Sequence, residues 1–165
     1  HDAHTIPARE LENVNFTFDI IVDQGAYFEI KRHRMMTQTP QHLTADLGYA
    51  VPLAISNAGL LEDYRSAMEL AQETYQSLST FNPEVASYVV PNGFNRRVLL
   101  TLNLRSLLHF VHLRSAPNAH FSVRRVAQRI AEEVCAQIPE LCGMTGRNTV
   151  ENSKMIEENF FYSTR

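Results

Sequence analysis

Val14-Asn15-Phe16-Thr17-Phe18-Asp19-Ile20 places Phe16, Phe18 and Ile20 on one side of an extended chain and Asn15, Thr17 and Asp19 on the other. A two-residue period is the mark of a strand with one buried face. Asp23 then stands where a helix N-cap belongs, and Ala26, Tyr27 and Ile30 recur at helical spacing. Together they predict a short helix from Ala26 to Arg34, with Arg32, His33 and Arg34 in its last turn, where cations suit the helix dipole. Residues 35–52 contain Pro40, Gly48 and Pro52 and predict irregular or short-strand structure.

A long helix is predicted over Ser56–Leu78, because Leu61, Tyr64, Met68, Ala71, Tyr75 and Leu78 form a stripe at alternating spacings of three and four. Asn82-Pro83-Glu84 reads as a capped start with proline at the first helical position, giving a short helix from Pro83 to about Val90. After the turn Pro91-Asn92-Gly93, the leucine- and valine-rich run Arg96–Leu102 predicts a strand that leads into a helix over Asn103–Leu113. A last helix is expected over Phe121–Gln137, with Val123, Val126, Ala127, Ile130 and Val134 inward. Residues 1–12 read as a lead-in and 144–165 as a polar tail whose Phe160, Phe161 and Tyr162 dock on the rest.

Interleaved strands and helices predict an α/β (α+β) class, a central mixed sheet with flanking helices in one domain over residues 1–165. At 165 residues a chain can bury its own core without staples. No apolar run approaches the roughly 20 residues that span a bilayer, so no membrane anchor is expected. A net charge of −3 disfavours a general nucleic-acid binder, whose affinity rests on a basic surface. Cys135 and Cys142 are the only cysteines, too few for a disulfide framework and without zinc-ligand spacing, which leads to an expectation of a reducing, cytoplasmic setting. The opening residue is His1, with no charged-then-apolar leader after it, and the chain reads as a piece of something longer. No Gly-x-Gly-x-x-Gly or P-loop pattern points to a Rossmann-type turn.

The chemistry concentrates in two basic blocks. Thirteen arginines stand against two lysines, and the guanidinium fork binds phosphate bidentately and keeps its charge when partly buried. Arg32-His33-Arg34 puts three potential cations in one turn, where self-repulsion is costly unless an anion or a carboxylate such as Glu29 answers it. In the second block, Asn103-Leu-Arg-Ser, helical spacing brings Arg105, His109 and His112 together, with Arg114 just past the helix. His109 and His112 have no matched third ligand, so no metal is expected.

The run from Asn103 to Arg114, Asn-Leu-Arg-Ser-Leu-Leu-His-Phe-Val-His-Leu-Arg, resembles the signature segment of the flavin-dependent thymidylate synthases, without a gap. Phe16-Thr-Phe followed by Arg32-His33-Arg34 is similar to the strand and helix that deliver that family's other motif, and the resemblance covers residues 14–140. It implies the fold of that family and a homotetramer with FAD at the subunit interfaces. The chemistry implied is reductive methylation of dUMP, a related pyrimidine nucleotide or another anionic small molecule, using methylenetetrahydrofolate and NADPH. Arg32, His33, Arg34, Thr37, Asn103, Arg105 and His109 would then be flavin contacts, and Arg114 the nucleotide-facing arginine of the catalytic site.

The resemblance is uneven. Pro40, His42 and Thr44 occupy positions where the family has glutamate, serine and arginine; Ser87 replaces another arginine, His109 an asparagine, and Glu29 a glutamine. Each lost arginine removes charge-assisted hydrogen bonds worth very roughly 1.5–3 kcal/mol. The flavin half of the pattern is therefore better kept than the nucleotide half. The alternative expectation is a noncatalytic flavin-binding or structural homologue.

Overall fold

The computed structural model describes residues 7–163. Two of its three strands are the alternating runs of the sequence: β1 spans Asn15–Asp23 and β3 spans Asn95–Asn103. They pair antiparallel along their whole length, from Asn15 opposite Asn103 to Asp23 opposite Asn95. The short β2, Thr37–Pro40, pairs antiparallel with the other side of β3, giving the order β1-β3-β2. The α/β class expected from the sequence is found, and the sheet is antiparallel throughout. Pro40 is accommodated because β2 is an edge strand, where a missing backbone donor costs little.

One face of the sheet is covered. Val22, Val98, Leu100 and Leu102 are buried there with Ala26, Tyr27 and Ile30 of α1 (Gln24–Ile30), five residues of α5 (Leu104–Arg114) and the apolar stripe of α6 (Phe121–Gln137). The other face carries Thr17, Asp19 and Ile21 opposite Thr101, Leu99 and Arg97, respectively. Asp19 accepts from Arg97 Nε at 2.8 Å, and the Thr17 and Thr101 hydroxyls are 3.0 Å apart.

A second, smaller cluster lies where Met68 and Tyr75 of α3 (Leu61–Ser79) meet Ala45, Ala86, Val90 and Phe94. The single long helix expected over Ser56–Leu78 is two helices: α2 is Leu53–Asn57, and Gly59, at φ +74°, breaks the chain before α3 begins. Asn82 caps α4, Pro83–Ala86, by accepting from Glu84 and Val85, after which a turn of 3₁₀ helix covers Ser87–Val89. In the turn that follows, Gly93 is required by packing, since a Cβ there would sit 2.4 Å from the Tyr64 hydroxyl.

Up to residue 163, the segment read as a polar tail packs against the rest of the chain. α7, Ser153–Phe160, packs on α6; Phe121 stacks on Phe160 at 5.3 Å and meets Phe161 edge-on at 5.2 Å. Arg124 of α6 pairs with Glu151 at 2.7 Å, and Arg125 lies over the Phe161 ring. The docking expected for Phe160 and Phe161 is therefore found, together with a helix that the polar residues concealed. Cys135 and Cys142 come side by side, with Cα atoms 5.0 Å apart. Among the described residues no helix is long and apolar enough to cross a membrane.

Candidate functional site

Helix α1 ends earlier than the sequence suggested. Asp23 caps its start, accepting from Ala26 N at 2.7 Å, but Ile30 is its last residue. Arg32, His33 and Arg34 lie in the turn beyond it, where Arg32 N–H bonds Glu29 O at 3.4 Å and His33 N–H bonds Ile30 O at 3.0 Å. The open turn spreads Arg32 and Arg34, which another helical turn would have crowded. Gln38 of β2 holds this turn: its Nε2 donates to His33 O at 3.1 Å and Ile30 O at 3.4 Å. The sequence reading did not single out Gln38, since the contact depends on β2 folding back beside α1.

The second basic block is divided by its helix. Asn103 is the N-cap of α5, its Oδ1 accepting from Ser106 N at 2.8 Å. Arg105, in the first turn, pairs with Glu12 at 2.5 Å. His109 lies one turn on, exposed, with its ring 6.2 Å from that of His33. Arg114 is the last residue of α5 rather than the first beyond it. From Arg105 to Arg114 the helix rises about 14 Å. His112, a further turn along the helix, has its Nδ1 3.2 Å from Gly146 O.

The meeting of the two blocks is made at the far end of α5. Arg114 donates from Nε to His33 Nε2 at 2.7 Å, from Nη1 to Glu29 Oε2 at 3.2 Å and from Nη2 to Glu29 O at 3.4 Å. Glu29 also pairs through Oε1 with Arg32 Nη2 at 3.0 Å. The His33 ring packs edge-on against buried Phe110, centroids 4.9 Å apart. Burial foremost, then the positive charge of Arg114 and of His109, pushes His33 down from 6.5 to about 4, with Glu29 opposing. At neutral pH the imidazole is uncharged: Nε2 accepts from Arg114 and Nδ1 carries the proton.

The result is a basic surface with one internal carboxylate. Arg34 stands exposed, and among the described residues it enters no ion pair. Thr37 is exposed at the start of β2, three residues further along. Of the residues expected to differ from the family's pattern, Glu29 is central to this network. Ser87 and Thr44 serve local turns, Ser87 Oγ donating to Glu84 O at 2.7 Å and Thr44 Oγ1 accepting from Asp46 N at 3.3 Å.

Residues 4–140 match the family model described as thymidylate synthase complementing protein. A UPF0159 protein of Chlamydia muridarum is 42% identical over 126 residues, covering 76% of this chain and 24% of that protein. UPF0159 protein Ta1429 of Thermoplasma acidophilum is 33% identical over 138 residues, 82% of this chain and 28% of its own length. A flavin-dependent thymidylate synthase of Sulfolobus acidocaldarius is 31% identical over 157 residues, 90% of this chain and 60% of that enzyme. The chain thus spans about a quarter of the UPF0159 relatives and about three-fifths of the thymidylate synthase.

Proposed function

Because the chain belongs to the thymidylate synthase complementing protein family, we propose that it is an FAD-binding, thymidylate synthase-like protein. On this reading it acts in reductive methylation of dUMP or a related pyrimidine nucleotide, with methylenetetrahydrofolate and NADPH as co-substrates. The observation that carries the reading is the turn Arg32-His33-Arg34 held beside His109, with Arg34 exposed and free of any ion pair among the described residues. An exposed guanidinium on a turn held by Gln38 fits a flavin nucleotide's diphosphate, and the neutral His33 ring with its Nδ1–H fits a polar, uncharged part of the same molecule.

Arg34 would hold the diphosphate, Thr37 and His109 would contribute hydrogen bonds at its margin, and Arg32, paired with Glu29, would meet an uncharged part of the flavin. Asn103 has its Oδ1 spent on the helix cap and keeps its amide N–H groups for the ligand. Arg105, at the opposite end of α5 from Arg114, would serve a different part of the flavin or the same site in a neighbouring copy of a homotetramer. The flavin, once bound, supplies the electron pair for reduction; the protein's share is binding, orientation and exclusion of water.

The experiment is reconstitution. Purified protein mixed with FAD should retain a yellow flavin spectrum through gel filtration, elute as a tetramer and oxidise NADPH in a manner stimulated by dUMP. Protein that stays colourless after exposure to FAD would refute the reading.

A second reading, a noncatalytic flavin-binding or structural homologue, is favoured by the Glu29–Arg114 pair, which occupies the arginine expected to meet the nucleotide. Complementation of a thymidine-requiring strain by this chain would exclude it.

A further inference from the structure

Arg114 uses all three of its guanidinium nitrogens inside the protein: Nε on His33 Nε2, Nη1 on Glu29 Oε2 and Nη2 on the Glu29 carbonyl. The edge that would grip two oxygens of a phosphate is already engaged, and the side chain is only 17% exposed. Arg32, on the other flank, is drawn to the second oxygen of the same carboxylate. Glu29 thereby brings together two cations from different elements and remains 28% exposed itself.

An entering group meets Glu29 as well as the arginines. An ionised carboxylate offers about four lone-pair sites, and the two guanidiniums take one from each oxygen. An anion approaching Arg32 and Arg114 must displace Glu29 or lie against its like charge, whereas an N–H donor finds an acceptor already oriented by two fixed partners. We propose that Glu29 makes this end of the surface select an uncharged hydrogen-bond donor, the exocyclic amino group of a heterocycle, and reject an anionic group. Phosphate groups are left to Arg34. The inference rests on reading this surface as a ligand site and adds the selectivity of its Arg114 end.

Glu29→Gln keeps the size of the side chain and removes its charge. Cytidine, as the amino-bearing probe, and inorganic phosphate are titrated calorimetrically into both proteins, with and without added FAD. The expected result is that the substitution weakens cytidine about tenfold and tightens phosphate about tenfold, the size of one charge-assisted hydrogen bond. Phosphate affinity equal in the two proteins, or cytidine affinity unchanged, overturns the inference. Failure of both proteins to take up FAD, with the phosphate contrast intact, refutes the flavin reading and leaves the selectivity standing. If circular dichroism shows that Glu29→Gln does not fold, Glu29→Ala replaces it, with the same directions expected.

Discussion

His33 shows how a motif residue acquires a chemical state from its neighbours. A lone arginine-flanked histidine in a sequence says little about protonation; burial against Phe110 and the adjoining Arg114 keep this one neutral, near 4. Between pH 4 and 6.5 the unfolded chain binds a proton here that the folded chain does not. The contribution to stability is therefore complete above 6.5 and lost as pH falls towards 4. In an NMR titration the His33 ring should have its midpoint near 4, and Arg114→Ala should raise it; a midpoint at 6.5 in the native protein would contradict the network. Urea unfolding of His33→Asn should accordingly depend less on pH over that window. Arg34, exposed and uninvolved in an ion pair among the described residues, gives the complementary case. Arg34→Ala should leave Tm unchanged and weaken FAD about tenfold in a fluorescence titration.

At the scale of elements, α5 separates residues that are near in sequence and delivers one of them to a distant turn. Its N-cap and a proposed ligand contact are the same residue, and substitution can part the two roles. Asn103→Ala should lose about 1 kcal/mol of stability along with flavin affinity. Asn103→Asp keeps a capping oxygen, removes the amide donors and should lose flavin affinity alone, as chemical denaturation and FAD titration would report. Gln38 shows the opposite dependence, an exposed-looking strand residue that fixes the Arg-His-Arg turn through two carbonyls. Gln38→Ala should cost about 1 kcal/mol and weaken FAD with it. Unchanged flavin affinity in that variant would mean that the turn is held by other means.

For the molecule as a whole, the two apolar clusters and the C-terminal helix form a framework around the basic surface. α7 closes it: Ile156 is fully buried, Phe161 is 7% exposed, and Arg124 and Glu151 form a pair that is mostly withdrawn from water. Removing one partner of such a pair leaves an uncompensated charge, so Glu151→Gln should destabilise the fold by about 3 kcal/mol. Calorimetry of that variant should show a lower Tm with the same cooperativity. A Tm equal to that of the native chain would show that Arg124 finds its stabilisation in Pro117 O and Ala119 O, which it also reaches.

Much of this architecture was legible in the chain alone because it rests on local rules. The alternation through Phe16, Phe18 and Ile20 specified β1, Asp23 and Asn82 specified helix starts, and the stripe from Val123 to Val134 specified α6. The motif residues themselves were equally visible, as residue types at fixed spacings. Tertiary structure decided which of them meet. The pairings of Glu29 with Arg114, Gln38 with the Arg-His-Arg turn, and Arg105 with Glu12 link residues 85, 8 and 5, and 93 positions apart. No helical or strand period carries such information. It comes from the antiparallel sheet that sets β2 beside α1, and from the length of α5, which puts Arg114 within reach of His33 and leaves Arg105 at the other end.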